Sequence, residues 1–197
     1  RETRGQVETV PFVTMGFSGK ELETMTKGVY ALKQWTGKAS ANVVYDSESD
    51  PFTDDGLFNK VRGKPNIAVI GFTTDGDVFG GFYSVAVNQQ GTGYFDPHFF
   101  IFSFESHGRC MTPQRFVVKE ELKEGALVRL WKKRNFGFVA FWVDGAGWFY
   151  LGNESSNSYC QDLSEAFDGL ENTTLTGQNG TYDKGPYHHC TRLLAFQ

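Results

Sequence analysis

One short segment of the chain brings a histidine and a cysteine close enough in sequence to do chemistry together. His107 and Cys110 have the spacing His-x-x-Cys, and Cys160, His189 and Cys190 could add to them. Zinc accepts these ligand types, but no Cys-x-x-Cys pair anchors the set and three separate segments would have to converge. We therefore expect structural thiols and surface histidines here, with no metal site and no cofactor.

The same segment raises the alternative of a nucleophilic or redox-active thiol. Cys110 could pair with His107 only if the turn folds back, and Arg109 could then lower the pKa of the thiol. A thiol-dependent or metal-dependent activity at His107 and Cys110 stays open as an alternative. In a weaker form of this hypothesis, Cys110, Cys160 and Cys190 are redox-sensitive thiols without catalytic activity. The simpler expectation is inert structural cysteine in a protein that is not an enzyme.

A second candidate is the acidic stretch, residues 46–56, which carries five carboxylates around one proline. Its opening imitates a calcium loop, but Pro51 stands where such a loop needs glycine for its sharp turn. Helix capping and solubility are therefore the expected roles. Because loops on a rigid scaffold carry most recognition, we also expect a partner-binding surface on this stretch and on the turn at 106–114. Its candidate residues are Asp46, Asp50, Asp54, Asp55, His107 and Arg109.

One basic cluster stands out in the sequence, formed by Arg129, Trp131, Lys132, Lys133 and Arg134. Such a cluster could grip nucleic acid through phosphate contacts and base stacking, or it could bind an acidic protein surface. The formal net charge of −4 argues against a general binder of nucleic acid or anionic membranes. A solvated hairpin tip is the expectation, and a DNA-binding stress-response regulator stays open as an alternative.

These candidates must be positioned by a scaffold whose centre is a single hairpin. Residues 67–73 and 78–87 are apolar on both faces, which predicts two strands buried between layers. Asp75-Gly76 predicts the turn between them, since glycine accepts positive φ. Gly80-Gly81 predicts a bulge, a bend or a close backbone approach, and it lacks the lysine and the helix of a phosphate-binding loop.

The composition favours a domain rich in β structure. The 197 residues include 19 Phe and 23 Gly, which suits many strands joined by tight turns. We predict an α+β fold in which a two-sheet antiparallel β-sandwich carries two or three peripheral helices. The predicted helices begin at a capping box of Ser18 and Glu21, at Thr53 or Asp54, and at Asp162. The other predicted strands are 41–45, 99–105, 115–118, 126–132, 137–143, 148–151 and 190–196.

Five segments carry a family resemblance, and in chain order they read VVYDSESDPF, DDGLFNKVRGKPNIAVIGFTTDGDVFGGF, DPHFFIFSFE, FYLGNESSNSYCQ and LENTTL. With them the chain resembles the TLDc domain of the oxidation-resistance protein family. It is most similar to the short protist members, in which the domain stands nearly alone behind a helical N-terminal segment. We therefore divide it into residues 1–40, a lead-in with a short extended piece at 10–13 and a capped helix, and residues 41–197, a TLDc-like domain.

The resemblance implies a sandwich of two antiparallel sheets with flanking helices and a non-enzymatic role. Family members protect cells against oxidative damage, and several bind the vacuolar proton pump and favour its disassembly. On this basis we expect a protein that acts through a protein partner. Three widely spaced cysteines, odd in number, are typical of reduced thiols in an intracellular protein, and no apolar run approaches the ~20 residues of a membrane span. We therefore expect a cytoplasmic location without a membrane span, with a nuclear location left open. The family usually closes with a strand carrying a Glu before a Val-Trp-like pair, whereas this chain ends RLLAFQ. No role of that acid is carried over.

Overall fold

The computed structural model of the protein describes residues 12–197, which form eleven strands, one long helix and several short ones, and the first described residues, 12–14, are helical. The strands are β1 Val43–Asp46, β2 Ile67–Thr73, β3 Val78–Tyr83, β4 Tyr94–Phe95, β5 Phe100–Glu105, β6 Gln114–Val117, β7 Ala126–Leu130, β8 Val139–Val143, β9 Trp148–Leu151, β10 Cys160–Gln161 and β11 Cys190–Phe196. The helices are α1 Gly19–Thr36, α2 Asp54–Val61 and α3 Leu163–Ala166, with a 3-10 helix at Glu120–Gly125.

The strands form two antiparallel sheets, so the predicted β-rich α+β class is confirmed. The first sheet has six strands in the order β1-β11-β2-β3-β5-β6, and the second has five in the order β10-β9-β8-β7-β4. The last strand, β11, lies between the first strand and the central hairpin, which places the first and last strands side by side in one sheet.

The β2–β3 hairpin is the centre of the six-stranded sheet, as its apolar pattern predicted. Every residue of both strands is buried, and Gly76 has a φ of 86° in the turn. A Cβ at Gly80 would collide with the carbonyl oxygen of Val69, and one at Gly81 would enter the ring of Phe141. The two glycines therefore allow the close approach of neighbouring groups that the sequence indicated.

Two apolar layers hold the fold together, one on each face of the six-stranded sheet. The layer between the sheets includes Val69, Phe79 and Phe141, and it is the larger of the two. The other layer joins the outer face of this sheet to α1. In α1, Gly28 lets the helix come close to the ring of Phe104, because any Cβ there would overlap it.

The helices begin and end close to the positions that the sequence predicts, but only some of the predicted capping hydrogen bonds are formed. Thr53 caps α2 by accepting a hydrogen bond from the backbone N–H of Gly56, and Gly37 ends α1 in the left-handed conformation. Ser18 and Asp162 lie at the expected N-cap positions, but neither side chain makes a capping hydrogen bond. The predicted capping box of Ser18 is therefore wrong in its contacts.

Three short elements in the described part of the chain were not predicted, and for the two strands among them the reason is that two residues carry no periodicity. These are β4, β10 and the 3-10 helix, and the first two complete the five-stranded sheet. The strand expected at 78–87 ends at Tyr83. Of the extended piece predicted at 10–13, residues 10 and 11 lie outside the described residues, and residues 12–13 are helical.

Helix α1 is the longest helix in the described part of the chain. Within residues 12–197, no helix combines the length and the apolar character that crossing a bilayer requires.

Candidate functional site

A buried carboxylate ties the turn at 106–110, the first candidate from the sequence, to the β2–β3 turn. Asp77 is only 2% exposed, and its Oδ1 lies 2.5 Å from Nη2 of Arg109 and 2.8 Å from Nδ1 of His107. The turn reaches this position because His107 and Gly108 have positive φ, 54° and 80°. Asp77 is itself fixed by its backbone N–H, which donates to Oγ1 of Thr73. We call Asp77, His107 and Arg109 the Asp77 node.

Arg109 extends the Asp77 node to the loop that precedes β11. Its Nε donates to the carbonyl oxygen of Thr174 at 2.8 Å, and its Nη2 donates to that of Leu175 at 3.0 Å. The guanidinium therefore holds two turns and one loop together, and its charge is directed at Asp77. The structure gives Arg109 a different role from the predicted one of lowering the pKa of the Cys110 thiol.

Cys110 has a hydroxyl, not an imidazole, as its neighbour. Its Sγ lies 3.4 Å from Oγ of Ser106, which also accepts a hydrogen bond from the backbone N–H of Cys110. The turn does fold back, but onto Ser106, while the His107 ring is directed at Asp77. The structure therefore does not form the cysteine–histidine dyad that the sequence left open.

Cys160 and Cys190 lie in the core between the two sheets. Burial raises the pKa of both thiols, that of Cys190 to about 12, and the proximity of Cys190 adds to the shift at Cys160. A thiol with a raised pKa stays protonated at neutral pH and is a poor nucleophile. Burial thus argues against these two residues as redox sensors and leaves Cys110 as the more accessible thiol.

The histidine beside these thiols is one that the sequence reasoning did not select. Nδ1 of His188 lies 4.0 Å from Sγ of Cys190, and burial lowers the pKa of His188 to about 4. Side chains alternate between the two faces of an extended chain, so residues 188 and 190 lie on the same face. This spacing is the signal in the sequence that could have indicated His188 as a neighbour of Cys190. His189 instead contacts the carbonyl oxygen of Glu154.

The histidines and cysteines considered as an alternative ligand set lie in separate parts of the structure. Cys110 and His107 belong to the 106–110 turn, and Cys160 and Cys190 lie in the core. In the part of the chain that the structure describes, no group of three or more His, Cys, Asp or Glu side chains could hold a metal ion.

In the acidic stretch, the first carboxylate is buried against an arginine from β11. Nε and Nη2 of Arg192 donate to the two carboxylate oxygens of Asp46 at 3.0 and 2.7 Å. The same Nη2 donates to the carbonyl oxygen of Met15, and the guanidinium lies 4.4 Å from the ring centroid of Phe17. Asp46 therefore fixes β1, β11 and the segment before α1 to one another.

Two further carboxylates of the acidic stretch, those of Asp50 and Asp54, also have partners within the protein. Asp50 accepts a hydrogen bond from the backbone N–H of Asp46 and lies 3.6 Å from Nζ of Lys60. Asp54 accepts from the backbone N–H groups of Asp55 and Lys133. These contacts give Asp50 and Asp54 a place in the local structure, while the cap of α2 is Thr53. Of the four aspartates predicted to bind a partner, Asp55 is the exposed one.

The basic cluster is partly an aromatic stack. The guanidinium of Arg129 lies 4.4 Å from the Trp131 ring and 5.0 Å from the Trp142 ring, and that of Arg134 lies 5.5 Å from Trp131. Trp131 is thus already engaged by two arginines, which argues against it as a platform for a stacked base. Lys132 and Lys133 are exposed, as expected for a hairpin tip.

Comparisons with known proteins add no family to this geometry. No family model matches the chain, and a comparison with curated proteins found no match either. What the structure defines is a β-rich α+β protein of two antiparallel sheets, whose turns are fixed by ion pairs.

Proposed function

We propose that this protein is a non-catalytic TLDc-like domain that binds a protein partner in oxidative-stress resistance, and that the partner is a subunit of the vacuolar proton pump. The sequence resemblance of residues 41–197 supports this proposal. The structural observation that carries it is the acidic stretch, which is tied down along its length and still exposes two acids.

The acidic stretch is anchored by contacts from three separate parts of the fold. Arg192 binds its first residue, the hydroxyl of Tyr45 donates to the carbonyl oxygen of Pro51 at 2.9 Å, and Nδ2 of Asn153 donates to that of Phe52 at 3.2 Å. A loop fixed in this way loses little conformational entropy when a partner binds. It resembles the rigidly held loops through which many scaffolds recognise their partners.

The exposed acids on this loop are Glu48 and Asp55. A carboxylate that is exposed and not used by the fold remains available for a lysine or arginine of a partner, which favours rapid and selective association. We therefore propose that the partner presents a basic surface to the acidic stretch.

The groups that the alternative functions need are largely used within the fold. His107 contacts Asp77, two thiols are buried, and Trp131 contacts two arginines. This use of the reactive groups supports binding over catalysis and over base stacking.

The test is binding of the purified vacuolar pump to the immobilised protein. We expect the double variant Glu48→Lys, Asp55→Lys to lose at least about tenfold in affinity, because both attractive contacts become repulsive. The matched control is Glu165→Lys, Asp168→Lys, which reverses two exposed acids elsewhere and should bind like the wild type. Equal binding by both double variants, or no binding by the wild type, would contradict the proposal.

A further inference from the structure

A cleft of about 400 Å³ lies where the end of α1 meets the six-stranded sheet. Its walls come from six places in the chain: the end of α1, the start of β2, the end of β3, the turn before β5, the edge strand β6 and the 3-10 helix. Clefts of this size hold small organic ligands. The Asp77 node lies at the other end of the strands β2, β3 and β5.

The ionisable residues that line the cleft are all basic. Lys38, His98, Arg115 and Lys123 line it, and no carboxylate does. In a protein with a net charge of −4, a concave surface with this lining concentrates positive potential and attracts anions. Among the described residues, Lys38, His98 and Arg115 form no ion pair.

The end of helix α1 explains only part of this clustering. Arg115 donates from Nη1 to the carbonyl oxygen of Trp35 at 3.2 Å, and Lys38 follows the same helix, where cations are stabilised by the last carbonyl groups. His98 and Lys123 come from other elements and gain nothing from that helix. Their presence in the walls of the same cleft calls for a different reason, and an anionic ligand supplies one.

Two acids bond to residues of the cleft lining and offset part of its positive charge. Asp96 is completely buried, and it is satisfied by the backbone N–H of Ser84, by the hydroxyl of Ser84 and by the backbone N–H of His98. Glu120 lies 2.6 Å from Nζ of Lys123, but its side chain is highly exposed. Exposed ion pairs of this kind contribute little free energy, so a bound anion can replace Glu120.

Four aromatic residues also line the cleft, of which Trp35 is half-buried and the three phenylalanines are buried. Trp35, Phe82, Phe99 and Phe100 line the cleft, and the Arg115 guanidinium lies 5.4 Å from the Phe100 ring centroid. That contact and the bond to Trp35 hold Arg115 in place before any ligand arrives, which lowers the entropic cost of binding. Aromatic walls favour a flat apolar body next to the charged group.

We propose that this cleft binds a phosphomonoester attached to an aromatic body. A phosphate carries close to two negative charges and three acceptor oxygens, which suits several convergent cations better than a single carboxylate does. Arg115 supplies the forked donors, the lysines and His98 surround the phosphate, and the aromatic walls receive the ring. Such a group occurs both in free nucleotides and in phosphorylated tyrosine.

The experiment is a titration of the full chain with phenyl phosphate, followed by the NMR signal of the Trp35 indole N–H and by calorimetry. We expect phenyl phosphate to bind saturably. Inorganic phosphate should bind more weakly because it lacks the ring contacts, and phenol should not bind at the same concentrations. Adenosine monophosphate and O-phosphotyrosine amide, titrated in parallel, distinguish the two sources of the ligand by which of them binds more tightly.

Charge removal in the cleft gives the matched comparison. The variants Arg115→Gln and Lys38→Gln, which alter exposed side chains and should fold, are expected to bind phenyl phosphate about tenfold more weakly. The control Lys132→Gln, Lys133→Gln removes two exposed charges from the basic hairpin and should bind like the wild type. The proposal is overturned if phenyl phosphate does not bind the wild type at millimolar concentration, or if the hairpin control loses affinity while both cleft variants keep it.

Discussion

The two ends of the six-stranded sheet use charged side chains in opposite ways. At one end, the Asp77 node pairs each charge with a partner inside the protein. At the other end, Lys38, His98 and Arg115 line a cleft without any ion pair among the described residues. The sequence contains charged and reactive residues at both ends, so residue type alone does not separate a structural contact from a binding surface.

The difference follows from the cost of removing charge from water. A buried ion is tolerated only with a partner and further hydrogen bonds, as Asp77 and Asp46 have. A cation that stays exposed has no such requirement, and the fold gains little by pairing it. We expect paired groups to affect stability when they are changed, and cleft cations to affect binding.

The largest effect on stability is expected at Asp46. Asp46→Asn keeps the shape of the side chain but leaves the Arg192 guanidinium without its counter-charge, and both side chains are only 12–13% exposed. Loss of one partner of such a buried pair costs about 3 kcal/mol or more in the free energy of unfolding.

Chemical denaturation measures this cost. Glu48→Gln is the control, because it removes one exposed charge two residues away and should change stability by less than about 0.5 kcal/mol. Equal effects of the two substitutions would mean that pairing does not distinguish structural from surface acids.

The next effect concerns His188, which is buried and kept neutral rather than paired. Its pKa is lowered from the ordinary 6.5 to about 4, so above pH 6.5 it is neutral in both the folded and unfolded states. As the pH falls from 6.5 to 4, the unfolded state takes up a proton before the folded state does, and stability decreases. A pKa shift of this size corresponds to a loss of about 3 kcal/mol in the free energy of unfolding.

A comparison with His188→Gln isolates the contribution of His188 to the pH dependence of stability, because the other titrating groups are common to both proteins. We expect the wild type to lose more stability than the variant between pH 7 and pH 4. Parallel stability curves over that range would show that His188 does not titrate as a buried neutral ring.

A smaller effect is expected in the Asp77 node, where the Arg109 side chain is 28% exposed. Asp77→Asn should lower the free energy of unfolding by about 2 kcal/mol, because water reaches the guanidinium and reduces the cost of losing the pair. Asp75→Asn in the same turn is exposed and serves as the control in thermal melting. An unchanged melting temperature in Asp77→Asn would argue that the node does not stabilise the turn.

Much of the fold could be predicted from local patterns. The β2–β3 hairpin followed from two apolar runs around Asp75-Gly76, and α2 followed from its Thr53 cap. Strands β4 and β10 could not be predicted, since two residues give no period and their pairing depends on distant strands.

The contacts of the charged residues were less predictable than the fold. Arg192 pairs with Asp46 across 146 positions, and Arg109 pairs with Asp77 across 32, and no local spacing indicates either pair. Of the three cysteines expected to be structural thiols, Cys160 and Cys190 are buried and Cys110 is half-buried in a turn. The basic residues of the cleft come from separate elements and had no shared motif. Such convergence is a property of topology rather than of any short segment.

The most direct test of the contrast between the two ends is thermal melting of three proteins with and without phenyl phosphate. We expect the ligand to raise the melting temperature of the wild type and of Asp77→Asn by the same amount, although Asp77→Asn begins lower. Without ligand, Arg115→Gln should melt closer to the wild type than Asp77→Asn does, because the contacts of Arg115 are exposed, and it should gain little from the ligand. A full ligand shift in Arg115→Gln, or its loss in Asp77→Asn, would contradict the assignment of stability to the paired end and of binding to the unpaired one.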